Sequence, residues 1–151
     1  MNIRKAGKKD IESIRNLEIE WEKEGISWGV RHYDKKELMK HIKKDFVYIA
    51  EENGKLIGYC IAKISKAKEK EDWAGIKKGQ KFGWIDGIYI KKEYRSKGIG
   101  KILVQKVLEE LKKKVNVVKL KAVSKNLRNL VRFYEKFGFK EAMSDLSLKI
   151  R

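Results

Sequence analysis

The sequence predicts an α/β protein whose central sheet is mixed and mainly antiparallel, with helices on both faces. Three observations lead to this fold class. The apolar residues that follow Asp10 repeat with a helical period, the pair Asn53-Gly54 is a strong hairpin turn, and residues 82–123 are patterned as strand, helix and strand. A strand–helix–strand unit forms a right-handed parallel crossover, whereas the strands of a hairpin are antiparallel.

The first part of the chain predicts one strand and two helices. Residues 2–6 are patterned as a short strand. From Asp10, apolar residues recur every three or four positions, as on one face of an amphipathic helix. Asp34 and Glu37 form a capping pair that begins a second, shorter helix. The apolar stripe of the first helix consists of Ile11, Ile14, Leu17 and Trp21.

The rest of the chain alternates strands and helices. We expect strands at 46–51, 55–64, 82–90 and 115–123, an exposed loop at 65–81, and a helix over 98–114. A second C-terminal helix begins near Leu127 and ends at Gly138, and 139–143 with 146–150 predict a last pair of strands. The expected order is therefore β-α-α-β-β-β-α-β-α-β-β.

Length and composition fit one domain over residues 1–151. No apolar run approaches the ~20 residues of a membrane span, and the first residues lack the apolar stretch of a signal peptide. We therefore expect a cytoplasmic protein without a membrane partner. The one cysteine, Cys60, lies in an apolar, strand-like run and predicts a buried structural thiol. His32 and His41 lack a metal-ligand pattern, so no metal is expected.

The chain is strongly basic, with 38 Lys and Arg against 21 Asp and Glu and a formal net charge of +17. Such charge favours anionic partners, including nucleic acid and phosphorylated small molecules. The lysines are spread along the whole chain, which is more typical of a solvated surface than of a binding patch. A non-enzymatic nucleic-acid binder is the alternative of another class. The absence of an RNA-binding motif, zinc spacing or recognition helix beside the charge argues against this alternative.

A basic loop with two glycines joins the strand at 82–90 to the following helix. The N–H groups that begin a helix have no partner within it, and the helix dipole adds positive character. Arg95, Lys97 and Lys101 add full charges, so the loop predicts a phosphate site. The sequence lacks a P-loop motif, and Leu103 stands where a dinucleotide fingerprint needs a third glycine.

This loop resembles a known family. Arg95-x-x-Gly98-x-Gly100 after a strand is similar to the pyrophosphate loop of the GNAT superfamily of N-acetyltransferases. The string from Phe133 to Phe139 resembles the family's second motif, and the order of elements matches over the whole chain. The resemblance implies the acyl-CoA N-acyltransferase fold and an acyltransferase that takes acetyl-CoA as acetyl-donor cosubstrate.

The resemblance also implies roles for individual residues. Tyr134 would protonate the departing thiolate as general acid. The family usually has Asn where this sequence has Leu127; the neighbouring Asn126 could contact the pantetheine or only cap the helix. The implied cofactor-binding residues are Ile88, Tyr89, Ile90, Arg95, Ser96, Lys97, Gly98, Ile99, Gly100, Lys101 and Asn126.

The acceptor is less determined. Asp86 lies nine residues before Arg95, like the proposed base of polyamine-type acetyltransferases, and Trp28 and Tyr33 are candidate acceptor contacts. We therefore expect transfer of acetyl to a primary amine of a small molecule or polyamine, by direct attack in a ternary complex. A protein N-terminal or lysine acetyltransferase is the alternative. N-terminal acetyltransferases of the ribosomal type often carry a Glu on the strand before the second motif, whereas residues 119–123 contain no acid. A homodimer through the last strands is possible.

Overall fold

The computed structural model describes residues 1–143 and 146–149, apart from the side chain at position 73. Five strands form one sheet in the order β1-β2-β3-β4-β5. They are β1 (Asn2–Lys5), β2 (Phe46–Glu52), β3 (Lys55–Lys66), β4 (Lys81–Ile90) and β5 (Val118–Leu120). The helices are α1 (Ile11–Glu24), α2 (Lys35–Lys44), α3 (Ile99–Leu111) and α4 (Leu127–Glu135), and three short 3-10 turns span Lys8–Asp10, Asp72–Ala74 and Lys92–Tyr94.

The sheet is mixed, as predicted. Strands β1 to β4 pair antiparallel in succession, and β5 pairs parallel with β4 after the crossover through α3. Asn53 and Gly54 both have positive φ, 49° and 74°, which gives the tight turn that the sequence predicted between β2 and β3. Asp34 caps α2 by accepting a hydrogen bond from the Glu37 N–H, and the Glu37 carboxylate accepts one from the Asp34 N–H.

Helices cover both faces of the sheet, so the protein has two cores. On one face, apolar residues of α3 pack with β2, β3, β4 and Tyr134 of α4. On the other, α1 and α2 pack against β2, β3 and Tyr89. The alternation of side chains along a strand divides these residues between the two faces. Residues buried to at least 99% include Ile14, Leu38, Ile49, Cys60, Leu103 and Val107.

The predicted loop 65–81 is shorter and less exposed than expected. β3 extends to Lys66 and β4 begins at Lys81. Ile76 is only 1% exposed, because the loop folds back through a bridge to Glu71 and packs Ile76 in a small cluster with Phe82. The polar composition of the loop predicted full exposure, but one apolar side chain is enough to hold a loop against the sheet.

The predicted last pair of strands is not observed where the structure describes the chain. Residues 139–143 and 146–149 form no strand, and residue 150 lies outside the described part. Met143, Leu146 and Leu148 are 66%, 96% and 84% exposed, so the alternating pattern faces no apolar surface that would reward pairing. The homodimer that these strands would support stays a prediction.

A buried carboxyl group fixes the segment that follows α1. The Glu18 side chain is fully buried, and one of its oxygens accepts a hydrogen bond from the Tyr33 N–H at 3.1 Å. Its other oxygen has no partner among the described residues. Burial raises the pKa of Glu18 to about 7, despite the hydrogen bond from Tyr33.

This carboxyl should make stability depend on pH. With an ordinary pKa of 4.5 in the unfolded chain, Glu18 binds a proton more tightly when folded, so its contribution is present below pH 4.5 and lost as pH rises through about 7. Glu18→Gln should therefore gain stability relative to wild type between pH 5 and pH 8, by roughly 2 to 3 kcal/mol. Urea denaturation at the two pH values measures this change. Glu12→Gln, on the exposed face of the same helix, should not show it, and equal shifts in both variants would contradict the assignment.

Gly58 of β3 lies opposite Ile90 of β4, with little space between the two strands for a side chain. A Cβ at Gly58 would lie 2.5 Å from Ile90 Cδ1 and 2.8 Å from the Tyr89 carbonyl oxygen. Because the carbonyl is backbone and cannot rotate away, Gly58→Ala should destabilise the protein by about 2 kcal/mol. Gly7→Ala is the matched control, since its Cβ would meet nothing closer than 3.8 Å. Thermal unfolding compares them, and equal Tm values would refute the prediction.

Candidate active site

The main cleft opens where β4 and β5 separate. The parallel ladder joins Gly83–Ile85 to Val118–Leu120 and then stops, although we predicted a strand over 115–123. The cleft has a volume of about 710 Å³ and is lined by the second half of β4, the loop that precedes α3, the end of β5 and the inner face of α4. The free edge of β4 therefore forms one of its walls.

One end of the cleft is built for an anion. Ser96 and Gly98 have positive φ, 61° and 80°, and turn the chain into the start of α3. Within the described part of the chain, no protein acceptor is seen for the N–H groups of 96–98, and the first N–H groups of α3 have no partner inside the helix. Ser96, Gly98, Ile99, Gly100 and Lys101 line the cleft. These amides and the helix dipole fit a pyrophosphate.

Arg95 is held by the protein itself. Its Nη2 contacts both carboxylate oxygens of Glu24 at 2.9 and 2.7 Å, and its Nε donates to the Ile90 carbonyl at 2.8 Å. Tyr89 donates its hydroxyl to the same Glu24 and places its ring below the guanidinium. Arg95 thus ties the loop to the end of α1. Sequence reasoning missed Glu24, because 71 positions separate it from Arg95.

Two residues predicted to bind the cofactor do not line the cleft. Lys97 points its ammonium over the Tyr94 ring at 5.1 Å. Asn126 is exposed and occupies the cap position of α4, but its side chain makes no capping hydrogen bond. Ser124, which we did not predict, lines the cleft instead and accepts the Asn126 N–H at 3.0 Å. Cofactor contacts by Lys97 and Asn126 stay predictions.

The middle of the cleft is apolar. Ile88, Tyr89 and Ile90 line it, with Ile88 beside Gly100 and Phe133. The Tyr89 side chain belongs to the α1 face, where it stacks on Trp21 with ring centroids 5.6 Å apart. Ile88 and Ile90 pack against the α3 face. An extended apolar arm can lie here against the free edge of β4.

Tyr134 lies at the inner side of this apolar stretch. It lines the cleft, is 6% exposed, and makes edge contacts with the rings of Phe133 and Phe139. Burial, with a smaller effect of the nearby Cys60, raises the pKa of Tyr134 well above that of an ordinary phenol. The hydroxyl therefore keeps its proton at neutral pH and can act as a proton donor.

Asp86 sits on a β-bulge. Ile61 and Ala62 of β3 face Gly87 and Ile85, so Asp86 is the extra residue on β4. Its carboxylate accepts hydrogen bonds from the Tyr33 hydroxyl, from Trp84 Nε1 at 3.0 Å and from Lys63 Nζ at 3.4 Å. Burial raises the pKa of Asp86, but these three donors outweigh burial and hold it below its ordinary value. Asp86 stays ionised and is a weak base.

The connection between α1 and α2 crosses the end of the cleft that holds Asp86. The Ile26 carbonyl accepts from the Lys125 N–H at 2.9 Å and from the Ser124 hydroxyl at 3.3 Å. The Lys125 ammonium lies 4.9 Å from the centroid of the Trp28 ring. Trp28 and Tyr33, both predicted acceptor contacts, line this end with Asp86. The fold thus brings residues that are far apart in sequence, such as Ile26 and Tyr134, into one cleft.

The cleft is strongly basic. Among the described residues that line it, Asp86 is the sole acid. Opposing it are five basic residues: Arg31, Arg95, Lys101, Lys121 and Lys136. A site with this charge favours anionic ligands.

No set of three His, Cys, Asp or Glu side chains in 1–143 and 146–149 is placed to hold a metal ion. Across the same ranges, no helix has both the length and the apolar character needed to cross a membrane.

Solved structures share the whole fold. An aminoglycoside N-acetyltransferase in complex with CoA has 19% sequence identity and a TM-score of 0.71, with 99% of each chain covered. An aminoglycoside 6'-N-acetyltransferase from Acinetobacter baumannii has 20% identity and a TM-score of 0.73, covering 99% of this chain and 97% of its own. A ribosomal-protein-alanine N-acetyltransferase from Brucella melitensis has 18% identity and a TM-score of 0.66, covering 99% and 100%.

Sequence comparison gives the family. No curated protein matches the sequence significantly. The family model described as "Acetyltransferase (GNAT) family" matches residues 13–139, which include the loop before α3, both walls of the cleft and Tyr134. The resemblance drawn from the two motifs is thereby confirmed, and the chain belongs to the GNAT family of acetyltransferases.

Proposed function

We propose that this protein transfers an acetyl group from acetyl-CoA to the primary amine of a small molecule, by direct attack in a ternary complex. The observation that carries the proposal is one continuous cleft that joins the amide-lined loop, the free edge of β4 and Tyr134. We expect both substrates to occupy this cleft together, so that no covalent acetyl-enzyme is needed. Cys60, the one thiol, is fully buried, and burial raises its pKa, which makes it a poor nucleophile.

The anionic end of the donor would be held by backbone. The N–H groups of residues 96–100 would donate to the pyrophosphate, and Lys101 and Lys136 would neutralise part of its charge. The backbone edge at Ile88 and Ile90, where the Ile90 carbonyl already accepts from Arg95, would pair with the amide groups of the pantetheine arm, as an added strand does. Arg95 keeps the loop in place through Glu24 rather than serving as a freely available charge.

Acetyl-CoA supplies an activated acyl group as a thioester. The amine nitrogen forms a bond to the carbonyl carbon, and the carbon–sulfur bond breaks. A backbone N–H near Ile90 stabilises the oxyanion, and Tyr134 gives its proton to the departing thiolate. The acceptor ammonium loses one proton to water beside Asp86 before it attacks, and the nitrogen loses a second as the carbon–sulfur bond breaks. One of these two protons returns through water to the Tyr134 phenolate, and the other goes to solvent. The lowered pKa of Asp86 suits it to orient the amine more than to hold that proton.

The acceptor is a small amine rather than a polyamine. A polyamine has several cationic groups that need several acids, and Asp86 already receives three donors. The other lining charges are basic and repel further ammonium groups. The same charge argues against polyamines, one of the two acceptor classes that the sequence predicted. Acetylation of protein N-termini or lysines is the alternative.

The loop before α3 gives the first test. A Cβ at Gly100 would lie 3.5 Å from Phe133 and 3.8 Å from Ile88, so Gly100→Trp places an indole in the cleft. Calorimetry should show that wild type binds acetyl-CoA and CoA but not ATP, and that the variant loses about 100-fold or more in affinity. Lys36→Trp, on the exposed surface of α2, is the control. Unchanged coenzyme binding by Gly100→Trp would overturn the placement of the coenzyme.

Tyr134 gives the second test. Tyr134→Phe removes the proposed proton donor and keeps the ring contacts, so turnover should fall by about 100-fold or more while acetyl-CoA affinity changes by less than about twofold. Release of free thiol measures turnover, and calorimetry measures affinity. Tyr48→Phe, whose hydroxyl contacts Glu110 outside the cleft, should retain activity. If Tyr134→Phe keeps the turnover and pH profile of wild type, another group is the acid.

A further inference from the structure

We propose that the acceptor carries a carboxylate within a few bonds of its amine, as an amino acid does, and that Arg31 binds this carboxylate. The inference rests on the proposed function, since it concerns the acceptor of that same cleft. It starts from the one arginine at the acceptor end, where Arg31 lines the cleft beside Trp28 and Tyr33.

Tyr33 places Arg31 and Asp86 close together. The Arg31 guanidinium lies 4.7 Å from the centroid of the Tyr33 ring, and the hydroxyl of the same ring donates to Asp86. Tyr33 therefore contacts the Arg31 guanidinium through its ring and the Asp86 carboxylate through its hydroxyl, so the two charged groups lie about one side-chain length apart. An acceptor with an amine at Asp86 and a carboxylate at Arg31 matches both charges. The backbone of Tyr33 is itself fixed by Glu18.

The guanidinium is available to a ligand. Its Nη2 donates a hydrogen bond to Glu37 at 3.2 Å, and the two side chains are 56% and 43% exposed. An ion pair with this exposure contributes little stability, so a ligand can compete with it. Arginine has five N–H donors in a planar fork that fits a carboxylate through two parallel bonds.

The rest of the acceptor end supports an anionic group. Lys121 lines the cleft one residue beyond Leu120, where the pairing of β5 with β4 ends. Lys63 contacts Asp86 from β3. Arg31 and Lys63 both lower the pKa of Asp86, and Lys121 adds a further positive charge to the cleft. An acceptor that brings only positive charge therefore meets repulsion, whereas a carboxylate beside the amine meets attraction.

The test uses acceptors that differ only in the carboxylate. L-phenylalanine is compared with L-phenylalaninamide, L-alanine with L-alaninamide, and spermidine serves as the polycation, with thiol release giving kcat/KM. Amidation lowers the pKa of the α-amine and increases the neutral fraction, so the chemistry alone favours the amides. We expect wild type to prefer at least one acid over its amide by about tenfold or more.

The Arg31 variants assign the preference. In Arg31→Gln, kcat/KM for that acid should fall by about tenfold or more while the value for the amide changes by less than about twofold. Arg31→Lys keeps the charge but loses the fork, and should restore the preference only in part. Arg15→Gln removes the same charge from α1 outside the cleft and should behave as wild type.

Each other outcome overturns the inference in a distinct way. If wild type uses an amide or spermidine as well as or better than both acids, the carboxylate is not recognised, although acetyl transfer stands. If the preference for the amino acid over its amide persists in Arg31→Gln, Arg31 does not bind the carboxylate. If no amine is acetylated although calorimetry shows acetyl-CoA bound, the acceptor class is wrong. Absence of both coenzyme binding and transfer would remove the proposed function itself.

Discussion

The whole site depends on where one parallel ladder stops. β4 and β5 pair over three residues each, up to Ile85 and Leu120, and then separate. From that point the backbone of β4 has an edge without a neighbouring strand. Buried backbone N–H and C=O groups need hydrogen-bond partners, so this edge is stable only beside solvent or a ligand that pairs with it. The bulge at Asp86 lies at the same place and turns a carboxylate toward the acceptor end.

The two faces of the sheet have different tasks around this cleft. On the α3 face, the positive φ angles of Ser96 and Gly98 aim backbone amides at the cleft. On the α1 face, Glu24 holds Arg95 while the hydroxyl of Tyr89 contacts the same carboxylate. Because Tyr89 lies on the strand that lines the cleft, the loop and the wall are fixed by one cluster. Binding to a pre-formed loop avoids the entropy of ordering it.

The two ends of the cleft differ less in their charge than in the chemical groups that line them. Bases dominate throughout, and the one lining acid is already satisfied by neighbouring donors. The basic residues behind the formal charge of +17 therefore lie in the cleft as well as on the solvated surface. A basic cleft attracts anionic ligands at long range, and it would favour the proposed acceptors, in which an anion balances the charge of the amine.

The sequence alone determined the class of the fold, the hairpin at Asn53-Gly54, the loop before α3 and the family, because these depend on local periodicity, turn chemistry and short motifs. It also placed Tyr134 and Asp86 among the candidates. Only the tertiary structure decided that β5 ends at Leu120, that residues 139–143 form no strand, and that Arg95 is bound by Glu24. It likewise decided that Tyr33 links Glu18, Asp86 and Arg31. These contacts join residues far apart in sequence, and distance along the chain carries no information about which charged groups will meet in space.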